Sequence, residues 1–205
     1  MYTGIVQAML PVKTWELKPG LATFSVEFPA SLLDGLETGA SVAVNGVCFT
    51  VTGIKGREVS FDAIAQTLAL SNIGDLQAGT AVNIERSAKA GAEVGGHVLS
   101  GHVIDIATVV RMEETENNRG ITFKGDPAWM KFVFNKGFLA LNGCSLTVAA
   151  VDHSDHSFRV NLIPETLTRT NFALLSQGSR VNVEIDHQTQ VIVETVERVM
   201  HERFT

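Results

Sequence analysis

Asn45-Gly46-Val47-Cys48-Phe49-Thr50-Val51 returns as Asn142-Gly143-Cys144-Ser145-Leu146-Thr147-Val148, an offset of 97 (142 minus 45). Other landmarks keep that distance or nearly so. Thr3-Gly4-Ile5-Val6 answers to Ser100-Gly101-His102-Val103, Gln66-Thr67-Leu68 to Glu165-Thr166-Leu167, and Val82-Asn83-Ile84-Glu85 to Val181-Asn182-Val183-Glu184. A chance match between short apolar stretches would not hold one spacing at so many places. A period this long is a whole domain rather than a solenoid unit, so the chain reads as two similar domains. Two related pockets suit two related ligands.

Working outward from the repeated motif, short segments rich in Val, Ile, Phe and Thr recur every eight to twelve residues, broken by Gly, Asn and Asp. This is how small antiparallel barrels read. Ser41 to Val44, Cys48 to Ile54 and Glu58 to Ala63 have counterparts in Phe138 to Leu141, Ser145 to Val151 and Ser157 to Leu162. Asn45-Gly46 and Asn142-Gly143 each suit a hairpin turn with positive φ at both central residues. Leu68 to Leu76 and Leu167 to Leu175 read as short helical or irregular connections. The Ala- and Gly-rich stretch Arg86 to Gly96 reads as the linker, giving expected domains at 1–94 and 95–186. From 187 to 205 the pattern turns helical, with Val193, Val196, Val199 and Met200 on one face and Asp186 placed to cap the start. Such a helix needs its stripe buried, against its own barrel or against copies of itself.

The chain has 205 residues and 45% apolar content, enough for two cores. No signal peptide and no membrane span are expected, and two cysteines do not make a disulfide framework, so the cytoplasm is the expected compartment. A net charge of −6 with scattered basic residues argues against nucleic acid as a partner.

In a strand, Cys48 and Thr50 share one face while Val47, Phe49 and Val51 share the other. Ser145 and Thr147 repeat this against Cys144, Leu146 and Val148. A barrel core takes the Val, Phe and Leu side, which leaves a polar face to meet a ligand. The halves differ at Ile5 and His102, Cys48 and Ser145, and Asp62 and Asn161. A histidine moves protons near neutral pH, and a hydroxyl orients or adds to an electrophile. His97 and His102 are five apart, hence on opposite sides of a strand, and no further ligands stand at metal spacing, so no metal is expected. His97 reads as a hydrogen-bonded structural residue.

With these motifs, including Gly95-Gly96-His97-Val98-Leu99-Ser100-Gly101-His102-Val103 and Ile163-Pro164-Glu165-Thr166-Leu167, the chain resembles the riboflavin synthase family from Met1 to about Arg203. The resemblance implies an all-β fold of two similar six-stranded antiparallel Greek-key barrels plus a C-terminal α-helix. It implies that two molecules of 6,7-dimethyl-8-ribityllumazine exchange a four-carbon unit, giving riboflavin and 5-amino-6-(ribitylamino)pyrimidinedione. No cofactor is needed. It further implies a homotrimer joined by C-terminal helices, with active sites between subunits. The first pocket would use Gly4, Ile5, Val6, Cys48, Phe49, Thr50, Asp62, Ala63, Ile64 and Thr67. The second would use Gly101, His102, Val103, Lys136, Ser145, Leu146, Thr147, Asn161, Leu162, Ile163, Pro164, Glu165 and Thr166. Ser145, His102, Cys48 and Asp186 are the polar groups expected to influence turnover. Where the family usually has Phe, this chain has Tyr2, whose phenol needs a partner only if buried. The alternative is a noncatalytic lumazine- or flavin-binding antenna protein on the same fold.

Overall fold

A computed structural model describes residues 1–204 and leaves Thr205, the end of the expected 187–205 tail, outside. Twelve strands form two closed antiparallel barrels with the same Greek-key order. The first holds β1 (Ala8–Lys18), β2 (Leu21–Glu27), β3 (Ser41–Val44), β4 (Val47–Lys55), β5 (Glu58–Ile64) and β6 (Ala81–Arg86). The second holds β7 (Asp105–Glu114), β8 (Arg119–Lys124), β9 (Phe138–Leu141), β10 (Cys144–Asp152), β11 (Ser157–Leu162) and β12 (Arg180–Ile185). Short helices α1 (Ala30–Leu33), α2 (Ala65–Leu70), α3 (Pro127–Met130) and α4 (Pro164–Arg169) join strands, and α5 (His187–Phe204) follows β12.

Strand alternation sets the cores. Val47, Phe49 and Val51 turn inward from β4, as Cys144, Leu146 and Val148 do from β10, leaving Thr50 and Thr147 outside. Phe24 packs against Phe49 at 5.2 Å and Phe61 at 5.3 Å between ring centroids, and Phe123 stacks on Phe158 at 5.4 Å. Each such buried ring contributes roughly 2 kcal/mol. The register shifts at Val12/Thr14 and Val51/Gly53 recur at Val109/Arg111 and Val148/Ala150. These bulges bend the strands so that each sheet closes.

The Asn-Gly turns take positive φ at Asn45, Gly46, Asn142 and Gly143, as the sequence predicts. They also join the barrels. A methyl on Gly46 would lie 2.6 Å from the Gly143 nitrogen, so the turns meet backbone to backbone. Around them six buried asparagines bond reciprocally. Asn72 Nδ2 donates to Asn142 Oδ1 at 3.0 Å, and Asn171 Nδ2 to Asn45 Oδ1 at 3.1 Å. Asn83 Nδ2 donates to the Asn142 carbonyl at 3.0 Å, and Asn182 Nδ2 to the Asn45 carbonyl at 2.8 Å. Buried amides stripped of partners would cost about 1–3 kcal/mol each, so this network fixes one barrel against the other.

Helix α5 begins on Asp186, whose carboxylate accepts from the Thr189 amide at 2.9 Å. Val193 packs on the second core, and Lys131 bonds Glu197. Val191, Ile192, Val196, Val199 and Met200 stay exposed. Of the two fates expected for the stripe, Val193 takes the first and packs on its own barrel, while Val196, Val199 and Met200 are exposed in the single chain.

Candidate active site

Each half lends its opening segment to the other barrel. The Ser145 amide donates to the Gly4 carbonyl at 2.8 Å, and Val6 is buried in the second core. In return the Cys48 amide donates to the Gly101 carbonyl at 2.9 Å, and Val103 packs on the first core. Where the segments pass, Tyr2 and Leu99 exchange backbone hydrogen bonds of 2.8 and 3.0 Å. Gly4 (φ 73°) and Gly101 (φ 83°) are required there: a methyl would lie 2.5 Å from Ser145 Cβ or 2.6 Å from Cys48 Cβ.

Two buried carboxylates fasten the crossing. Glu85 accepts from the Thr3 amide (2.7 Å), the Thr3 hydroxyl (2.8 Å) and the Gly4 amide (3.1 Å). Glu184 repeats this with the Ser100 amide (2.7 Å), the Ser100 hydroxyl (2.8 Å) and the Gly101 amide (3.1 Å). Burial pushes both carboxyls above the usual range, and these donors oppose it.

Two equivalent pockets result. One, of about 280 Å³, lies between Gly4, Ile5 and Val6 and the Cys144, Ser145, Glu165 and Thr166 of the second barrel. The other, of about 190 Å³, lies between Gly101, His102 and Val103 and the Cys48 and Thr67 of the first. This corrects the sequence-based grouping, which gave Gly4, Ile5 and Val6 to the first pocket and Gly101, His102 and Val103 to the second. Linear position assigned each segment to its own half, whereas the crossing exchanges them.

The polar residue of each pocket has its own buried partner. Ser145 Oγ lies 2.6 Å from His97 Nδ1, and the imidazole stacks on Phe138 at 5.4 Å. Burial pulls His97 below the ordinary histidine range, with Asp186 pulling the other way. His97 Nε2 finds no hydrogen-bond partner among the described residues. Cys48 Sγ instead accepts from the Tyr2 phenol at 3.0 Å. Cys144, next to Ser145, is a neutral thiol, pushed up to about 12 by burial. The expected reading of His97 as a hydrogen-bonded residue is met, and its partner is Ser145 in one pocket while His102 lines the other. Among the described residues no group of three or more His, Cys, Asp or Glu is arranged to hold a metal ion.

Thr50 and Asp62 lie on the outer face of the first barrel, Asp62 accepting from Thr23 at 2.8 Å. Thr147 and Asn161 lie there on the second, where Arg159 donates to Asn161 at 3.1 Å. Ile64 and Ile163 are exposed apolar residues at the starts of α2 and α4. Phe49, Ala63, Leu146 and Leu162 turn their side chains into the cores. Pro164 opens α4, and Glu165 pairs with Arg169 at the pocket rim. Lys136 is exposed with φ 66°, where the equivalent residue of the first half is Gly39 at φ 91°. Gln66, Leu70 and Ser71 also line one pocket and Arg169 and Thr170 the other, none of them among the residues expected from the sequence. Their place at the ends of α2 and α4 beside Thr67 and Thr166 was the available signal.

The family model described as lumazine binding domain matches residues 3–87 and 100–186. The chain is 50% identical to riboflavin synthase of Escherichia coli (strain K12) over 204 residues, covering 99% of this chain and 95% of that protein. It is 40% identical to riboflavin synthase of Chlamydia pneumoniae over 200 residues, covering 98% and 97%. The crystal structure of LumP complexed with riboflavin superposes with a TM-score of 0.84 at 28% identity, covering 91% of this chain and 100% of that one. LumP complexed with 6,7-dimethyl-8-(1'-D-ribityl) lumazine gives 0.82 at 26% identity over the same shares.

Proposed function

The chain belongs to the riboflavin synthase family, with two lumazine-binding domains in one polypeptide, and from that premise we infer how its two pockets share the reaction. It is a transferase that converts two 6,7-dimethyl-8-ribityllumazine molecules to riboflavin and 5-amino-6-(ribitylamino)pyrimidinedione. One lumazine gives up a four-carbon unit and the other accepts it, so carbon and electrons balance without an oxidant. The electron-poor pteridine is its own electron sink, stabilising the carbanion that forms at the C7 methyl. The protein therefore has two tasks, to hold two copies face to face and to move protons.

The observation that carries this is the twin pocket pair, built from exchanged segments and differing in its polar residues. Ser145 with His97 is the pair that can shuttle a proton. Its low proton affinity keeps His97 neutral, hence able to act as a base, near pH 7. Cys48 and His102 face the other lumazine. Asp186 acts on turnover through its attraction for a protonated His97 and as the cap of α5. Thr50, Asp62, Ile64, Lys136, Thr147, Asn161, Ile163 and Pro164, on the surfaces beside the pockets, contact the ligands, while Phe49, Ala63, Leu146 and Leu162 offer backbone groups.

The proposal includes a homotrimer in which the first pocket of one subunit faces the second of another. Two observations support it. At about 190 and 280 Å³ the pockets fall short of the ~300 Å³ at which sites begin to enclose such ligands. The α5 stripe is uncovered. Two free cysteines fit a cytoplasmic setting.

Purified protein supplied with dimethylribityllumazine alone should form one riboflavin per two lumazines consumed, read as flavin absorbance. Tight binding without flavin would replace the enzyme by the antenna reading.

A further inference from the structure

Tyr2 is buried, 2% exposed, and lies where the two exchanged segments pass. Its ring fits against Gly101, since a methyl there would meet Tyr2 Cε2 at 2.9 Å. The phenol donates to Cys48 Sγ at 3.0 Å. Burial, then Cys48 and the carboxylates Glu85 and Glu184, hold Tyr2 well above the usual tyrosine range, so it stays a donor throughout the working pH range. Ser145 meets an imidazole that takes up protons, whereas Cys48, its counterpart, meets a phenol that only gives a hydrogen bond.

The Cys48 amide is committed to Gly101, and its sulfur accepts from Tyr2, which does not line the pocket. The S–H is what remains to face the pocket shared with Thr67, His102 and Val103. We propose that Tyr2 is a positioning residue: its hydroxyl locks the Cys48 thiol as a hydrogen-bond donor toward the lumazine in this pocket, making the twin pockets chemically unequal. This rests on the functional reading above and adds to it a device that phenylalanine would lack.

The test uses the full-length protein as Tyr2→Phe, Cys48→Ala and the double variant. Tyr2→Phe keeps the ring and deletes one hydroxyl, so kcat/KM should fall about three- to tenfold, the worth of one side-chain hydrogen bond. In the Cys48→Ala background the same change should do nothing, because the group that Tyr2 acts through is gone. An equal fall in both backgrounds, or none in either, overturns the proposal. A second readout needs no turnover. Iodoacetamide labelling of Cys48, located by peptide mass mapping, should slow in Tyr2→Phe, since the developing thiolate loses its donor; an unchanged rate overturns the contact. If wild type forms no flavin, the functional reading falls while the labelling rate still judges the Tyr2 contact.

Discussion

Ser145 Oγ and His97 Nδ1 stand 2.6 Å apart, beside the backbone that Gly4 carries over from the other half. If that pair moves the proton, His97→Phe, which keeps a ring stacked on Phe138, should lower kcat by about a hundredfold or more and KM far less. Ser145→Ala should likewise slow turnover more than it weakens binding. An unchanged turnover number would remove either residue from the mechanism.

The pH dependence follows from the direction of the His97 shift. Burial lowers its affinity for protons below the ordinary value of 6.5. His97 therefore favours the fold above that pH, and this contribution is lost as pH falls through its lower folded value. Turnover should hold through pH 6.5 and fall only at lower pH. In His97→Phe that acidic limb should flatten, as read from kcat/KM profiles; a limb that persists unchanged assigns it to another group.

Glu85 lies in the first barrel but holds Gly4 against Ser145 in the second. Glu85→Gln places an amide N–H₂ group against backbone N–H donors, costing about 1–3 kcal/mol. Denaturant midpoints should show the loss. Titration with a lumazine analogue should show the greater weakening at the pocket of the second barrel, not at the one beside Cys48. Equal weakening of both would mean that Glu85 supports the fold alone.

Lys136 holds positive φ where the repeat uses Gly39. A left-handed backbone costs a residue with a side chain about 1–2 kcal/mol, and glycine's extra unfolded-state freedom returns part of that. Lys136→Gly should thus be as stable as wild type or up to about 1 kcal/mol more stable, yet lower in kcat/KM if the ammonium serves the ligand. A variant of full activity would show that the strain has no functional return.

Val196 is 52% exposed on the uncovered stripe of α5. Val196→Glu should leave the melting temperature of the isolated chain nearly unchanged while converting the assembly to monomers in sedimentation. A charged variant that still sediments as a trimer would take α5 out of the interface.

Much of this was legible in the residues. The repeated Asn-Gly pairs gave the turns, alternation in Val47 to Val51 and Cys144 to Val148 gave the inward face, and the helical spacing after Asp186 gave α5. The exchange of Gly4 and Gly101 between barrels was not legible, because a repeat reports which residues are equivalent and not which half each packs against. His97 was legible as a hydrogen-bonded residue but not as the partner of Ser145, because the two are far apart in the chain and only the fold brings them to 2.6 Å. The phenol of Tyr2 needed its burial to acquire meaning.

Complementation between two blocked chains tests the pairing of pockets across subunits most directly. Thr67→Trp should fill the pocket beside Cys48, and Thr166→Trp the one beside Ser145. Each variant alone should be inactive. Co-assembled at equal amounts, they should recover about a quarter of wild-type activity, the share of subunit contacts that join two open pockets when cyclic trimers assemble at random, the inactive homotrimers included. A mixed assembly no more active than its parents would contradict the pairing.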